Sequence, residues 1–154
     1  MRRYCIAKTV ALFYIRKEQV TMYKLIDSIK KRPLNIILIF IVAILYVVNN
    51  IWLKDLVPYN IRWIFVCYFN DLICPLLFLS YCNLLLLTTN RELTSLKALF
   101  LIGLAVGVIW EFGAPILKPT STTDMMDIVC CLMGSILYWF ILRWSIKEKT
   151  IIKD

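Results

Sequence analysis

Apolar residues in this chain come in long runs. Four stretches, at about 33 to 52, 64 to 87, 96 to 116 and 126 to 144, are dominated by Ile, Leu, Val, Phe, Ala and Trp. Each is long enough to cross roughly 30 Å of hydrocarbon at about 1.5 Å per helical residue. The polar connections "TTNRELTS" and "LKPTSTTD" are short, as turns between antiparallel neighbours are. The pattern predicts an all-α polytopic membrane protein, a four-transmembrane-helix antiparallel bundle. It divides the chain into a basic cytoplasmic leader over 1–32, a transmembrane domain over 33–144 and a basic tail over 145–154.

Composition agrees, with 61% hydrophobic residues and 18% charged and a mean hydropathy of +0.76, leaving little room for a soluble domain. The leader is not a signal peptide, because its apolar run "ALFYI" is short and flanked by Lys8, Arg16, Lys17 and Glu18. Met22 opens "MYKLIDSIKKRPL", a basic lead into a first span, so residues 1–21 read as a start-site extension that insertion does not need.

Charge sets the orientation. Of 18 Lys and Arg residues, 15 lie in the leader, in the turn carrying Arg91 and Lys97, or from Arg143 onward, and 3 (Lys54, Arg62 and Lys118) lie on the other side. Cationic loops stay cytoplasmic, so both termini are expected in the cytoplasm of a cell-membrane protein. Trp52, Tyr59, Trp63 and Trp110 then mark the outer interface, and Tyr138, Trp139 and Trp144 the inner one. The acids run oppositely: Asp55, Asp71, Glu111, Asp124 and Asp127 all fall toward the outer side, although acids contribute little to orientation.

Asp71 and Glu111 sit within apolar spans, and Asp127 opens the last one at the same end. Ionisable groups at membrane depth point by default to function. Pro75 follows Asp71, and Pro115 follows Glu111, by four residues. A proline there cannot bond the carbonyl four residues back, so each acid would offer a carboxylate beside a loosened carbonyl oxygen, a donor set for a hard cation or protonated group. Gly103 and Gly107 share the Glu111 face and would let another helix approach, turning Glu111 into the bundle. Asn70 and Asp124 complete the candidate cavity. The competing reading makes the prolines simple bends, Asp124 the N-cap and Asp127 the third residue of the last helix. The pattern names no metal.

Several classes drop out. Without histidine or a Cys-x-x-Cys pair, a structural zinc site has no ligand framework, and Cys5, Cys67, Cys74, Cys82, Cys130 and Cys131 read as packing residues. No Gly-x-Ser-x-Gly elbow or matched acid/base pair supports a hydrolase. No cofactor motif is present, and no basic surface interleaved with exposed aromatics fits nucleic acid.

The second half of the chain resembles the VanZ-like family of small bacterial membrane proteins. An acid near the outer end of one span (Glu111) is followed by a polar turn and a helix carrying Asp127, Cys131 and Gly134, while Asn70, Asp71 and Pro75 match a polar residue followed by proline upstream. Cys131 stands where the family commonly has Asn, and Thr120 to Thr123 replace an Arg often found in the turn. The resemblance implies a four- or five-helix envelope protein without an agreed reaction.

Together these readings give a non-enzymatic envelope protein with an outer acidic cavity for a polar or cationic group of a lipid, cell-wall precursor or glycopeptide. The alternative is a small ion- or proton-coupled carrier subunit, completed by dimerisation because no inverted repeat is present. An assembly partner that pairs with a homodimer mate or another membrane protein through Gly103 and Gly107 is a further reading. The orientation has a direct test. In a cysteine-free background, Ser121→Cys should react with an impermeant thiol reagent applied from outside, and Thr94→Cys should not.

Overall fold

In the computed structural model, residues 20, 22–117 and 124–151 are described. The expectations for a dispensable leader over 1–21, for Cys5, and for Lys118 and Thr120 to Thr123 lie outside them. The described chain is all-α: α1 (22–31), α2 (Pro33–Val48) continued by a π-helical turn (Asn49–Leu53) and α3 (Lys54–Leu56), then α4 (Tyr59–Cys67), α5 (Phe69–Leu87), α6 (Leu96–Leu117) and α7 (Met125–Ile151). Four candidate membrane spans, Pro33–Leu56, Tyr59–Leu87, Leu96–Gly113 and Met125–Ile146, make it a multi-pass membrane protein.

Local chemistry sets the ends of these elements. Pro33 occupies the start of α2 after a non-helical Arg32, where its missing N–H costs nothing. The first span reaches past position 52 because the π turn absorbs one change of register. It stops at Val57, which takes extended backbone ahead of Pro58. Asn90, at φ 58°, closes α5: the Arg91 N–H donates to the Leu86 carbonyl and the Asn90 N–H to Leu87, a Schellman arrangement built on Asn instead of Gly.

The spans do not all pack on their chain neighbours. Helix α7 sits between α5 and α6, α5 carries α2 on its other side, and α5 and α6 barely touch. The core runs along this row through Leu38, Val42, Ile73, Leu76, Leu79, Leu99, Tyr138 and Leu142. Two glycine contacts allow α7 to lie so deep. A Cβ on Gly134 would fall 2.2 Å from the Leu72 carbonyl oxygen, and one on Gly103 would fall 1.9 Å from Ser135 Oγ. Gly107 faces Cys131 and Ile128. This corrects the dimer reading: the Gly103 and Gly107 face is filled by α7 of the same chain and is not open to a second copy.

At the basic end the bundle is tied by polar groups with no exposure. Asn83 Nδ2 donates to the Tyr138 hydroxyl at 2.9 Å, Tyr138 donates to Asn35 Oδ1 at 2.9 Å, and the Leu93 N–H donates to Asn83 Oδ1 at 2.9 Å. One phenol thus joins α2, α5, α7 and the segment before α6. Tyr138 is therefore fully buried, not the interfacial aromatic its position suggested. Arg32 adds a two-pronged ion pair to Glu92 at 2.6 and 3.1 Å. The cysteines also divide: Cys131 is buried, whereas Cys67 and Cys74 are exposed and so do not pack the core.

Two substitutions test this packing by reversible unfolding in mixed micelles. Gly134→Ala should cost about 1–3 kcal/mol because backbone cannot move aside as a flexible side chain can, while Gly113→Ala, with nothing within 4 Å, should be neutral or slightly stabilising. Tyr138→Phe should cost about 1–2 kcal/mol, since it strands two buried amides away from water.

Candidate ligand site at the acidic end

The opposite end of the bundle begins with a break in the second span. Tyr68 leaves helical geometry (φ −115°, ψ −20°) between α4 and α5, and the Phe65 carbonyl has no backbone partner across the gap. Asn49, 1% exposed in the π turn, fills it: its Nδ2 donates to the Phe65 carbonyl at 2.9 Å and to Asn70 Oδ1 at 3.1 Å. Asn70 is thus engaged on the α2 side of α5. Asp71, one residue on and about 100° round the helix, lies in the first turn of α5, where a carboxylate interacts favourably with the helix dipole.

Glu111 projects from α6 and is buried. Its Oε1 accepts the Asp124 backbone N–H, immediately before α7. Asp124 caps that helix, its Oδ1 accepting the Met126 N–H at 3.0 Å as an N-cap side chain does. Its Oδ2 accepts the Tyr68 hydroxyl at 3.0 Å. In a capping box the third residue of the helix would bond the N-cap N–H. Here Glu111 of a neighbouring helix takes that N–H, and Asp127, which holds the third position, is released from it.

Asp127 then shares the electrostatic surroundings of the other acids, its carboxyl being near enough to feel the charges of Asp71, Glu111 and Asp124. Four carboxyl groups from α5, α6 and the start of α7 therefore share one neighbourhood. The ion pairs of the described residues are Lys31 with Asp27, Arg32 with Glu92 and Arg62 with Asp55, and none includes these four acids. Nor do the described residues contain a group of three His, Cys, Asp or Glu side chains arranged to hold a metal ion.

The proline expectation needs one correction. The carbonyl that Pro75 frees on Asp71 accepts the Cys131 thiol, at 3.6 Å, so it is occupied by α7 and not offered to a ligand. Cys131 thus acts as a donor to α5. Helix α6 runs on through position 115 to Leu117; the side chain of Pro115 is not among those described. Sequence reasoning missed Tyr68 and Asn49. The signal for Asn49 was a polar pair, "NN", closing an apolar run; Tyr68 carried none, being one aromatic among many.

The chain matches no family model, and no curated protein or solved structure matches it. The site must therefore be read from its own chemistry.

Glu111 can be tested as a cross-helix cap separately from any ligand. Glu111→Gln keeps a carbonyl oxygen for the Asp124 N–H and should leave unfolding in mixed micelles within about 1 kcal/mol of the parent. Glu111→Ala strands that N–H in a water-poor setting and should cost about 1–3 kcal/mol. Equal losses in the two variants would contradict the capping role.

Proposed function

We propose that this chain is a non-enzymatic cell-envelope membrane protein of the VanZ-like kind, with both termini cytoplasmic, whose outward acidic end binds a cationic or polar group. The observation that carries this reading is the gathering of Asp71, Glu111, Asp124 and Asp127 without an ion-paired Lys or Arg among the described residues. Like charges this close, near hydrocarbon, repel one another and cost several kcal/mol unless something compensates them. Capping accounts for Asp124 and for one oxygen of Glu111. It does not account for Asp71 and Asp127.

The charge distribution supports the orientation. The basic residues cluster at the end carrying Arg32 and Glu92, and the free acids at the other, as retention of cationic loops in the cytoplasm would produce. A cell-wall precursor, glycopeptide or lipid bearing an ammonium group would then meet the acids from outside.

The nearness of the like-charged Glu111 and Asp127 favours a second reading. A carboxyl pair is relieved by taking up a proton, the state an ion- or proton-coupled carrier subunit would use at its outer gate.

Cation binding separates occupancy from architecture. Purified protein heated in detergent should unfold at a higher temperature with spermidine than without. The gain should vanish in Asp71→Asn and Asp127→Asn and persist in Asp55→Asn, whose carboxylate is paired with Arg62 at 2.5 Å. No gain with spermidine, or an equal gain in all variants, would contradict the reading. Proton flux into liposomes that stops in Asp127→Asn would favour the carrier.

A further inference from the structure

Helix α1 is amphipathic. At about 100° per residue, Met22, Leu25, Ile26 and Ile29 form one face and Lys24, Asp27, Ser28 and Lys31 the other. The bundle takes the seam between them: Ser28 is 1% exposed, and Leu25 and Ile29 are half-buried. Lys24, Asp27 and Lys31 stay exposed, with Lys31 bridging Asp27 and Asn90 Oδ1, each at 3.0 Å. The rest of the apolar face is uncovered, with Met22 66% and Ile26 48% exposed and Tyr23 beside them 76% exposed.

That outward face does not end at α1. Arg32 makes a single non-helical elbow, and the exposed row resumes on α2 with Ile37, Phe40, Ile41 and Ile44, within the first candidate membrane span. An apolar face continuous with a surface that meets lipid is most simply covered by the same lipid. Charges fit this placement, since Lys24 and Lys30 lie where an interfacial helix meets phosphates.

Between α1 and the end of α5 is a cavity of about 390 Å³ lined by Lys24, Asp27 and Leu87 to Asn90. Lys31 compensates Asp27, and the Thr88 and Thr89 hydroxyls donate to the Leu85 and Leu86 carbonyls. The Lys24 ammonium forms none of the ion pairs of the described residues, so it is the charge this cavity offers.

We propose that residues 22–31 form a membrane-interface helix, with Met22, Tyr23 and Ile26 in the acyl boundary and the phosphate of an anionic phospholipid held in the cavity against Lys24. The leader is then cytoplasmic only up to this helix, which lies on the bilayer and anchors the start of the first span.

The test uses the full chain in nanodiscs of phosphatidylcholine and phosphatidylglycerol. Nitroxide labels at Met22→Cys and Ile26→Cys, with native cysteines replaced, should be reached more readily by oxygen than by a water-soluble nickel chelate, and a label at Asp27→Cys should show the opposite preference. After detergent washing, the unlabelled chain should retain phosphatidylglycerol several-fold over phosphatidylcholine. Lys24→Gln should lose that preference, Lys54→Gln should keep it, and inorganic phosphate should not displace the lipid. Chelate reaching positions 22 and 26 as freely as oxygen would overturn the interface helix. Equal retention of both lipids, a preference unchanged by Lys24→Gln, or displacement by phosphate alone would overturn the headgroup site. Should Lys24→Gln fail to accumulate, the labels and the parent chain's lipid preference decide. All these readouts lie at the basic end, so their failure leaves the ligand reading of the acidic end standing.

Discussion

The bond from the Asp124 N–H to the Glu111 carboxylate answers a demand that hydrocarbon imposes on the whole bundle. A helix that begins near a membrane boundary leaves its first N–H groups without intrahelical partners, and little water is at hand to take them. Helix α7 lies between α5 and α6 and carries most of the packing, so the point where it starts sets the register of its neighbours. Glu111 from α6 and Tyr68 from the break in the second span both meet Asp124 there. A carboxylate amid Ile, Trp and Phe is thus explained first as an acceptor for a neighbouring helix.

From that junction the register carries down α7. Cys131 reaches the carbonyl that Pro75 frees on Asp71, and Gly134 lets the helix meet the Leu72 carbonyl. Further along, Tyr138 joins Asn35 and Asn83. Proline, thiol and glycine act together here: the kink exposes an oxygen, the thiol takes it, and the missing side chain makes room. The same order releases Asp127, since its capping place is already filled, and a carboxyl released from structure is the kind of group that can take a ligand.

How much of this could be read from the sequence depended on how far apart in the chain the interacting residues lie. Run length was enough for four helices, and Asp71, Glu111 and Asp127 stood out because ionisable groups are rare in such runs. The position of α7 between α5 and α6 was not legible, because short turns suggest that chain neighbours pack together, and only the glycine contacts show otherwise. Tyr138 looked like an interfacial aromatic because its partners lie 55 and 103 residues away. Asn70 was grouped with Asp71 by adjacency, yet a helix turns adjacent residues to different neighbours. The uncovered apolar side of α1 was hidden in a run of positive charge that orientation alone seemed to explain.

Glutamate is scarce in this chain, at Glu18, Glu92, Glu111 and Glu148, which allows the central claim to be examined at one side chain. With carboxyl-labelled glutamate, the infrared difference spectrum of the lipid-embedded protein on adding spermidine should show a shifted carboxylate band that disappears in Glu111→Gln. An unchanged spectrum, or the same shift in Glu111→Gln, would contradict a ligand site built around this carboxylate.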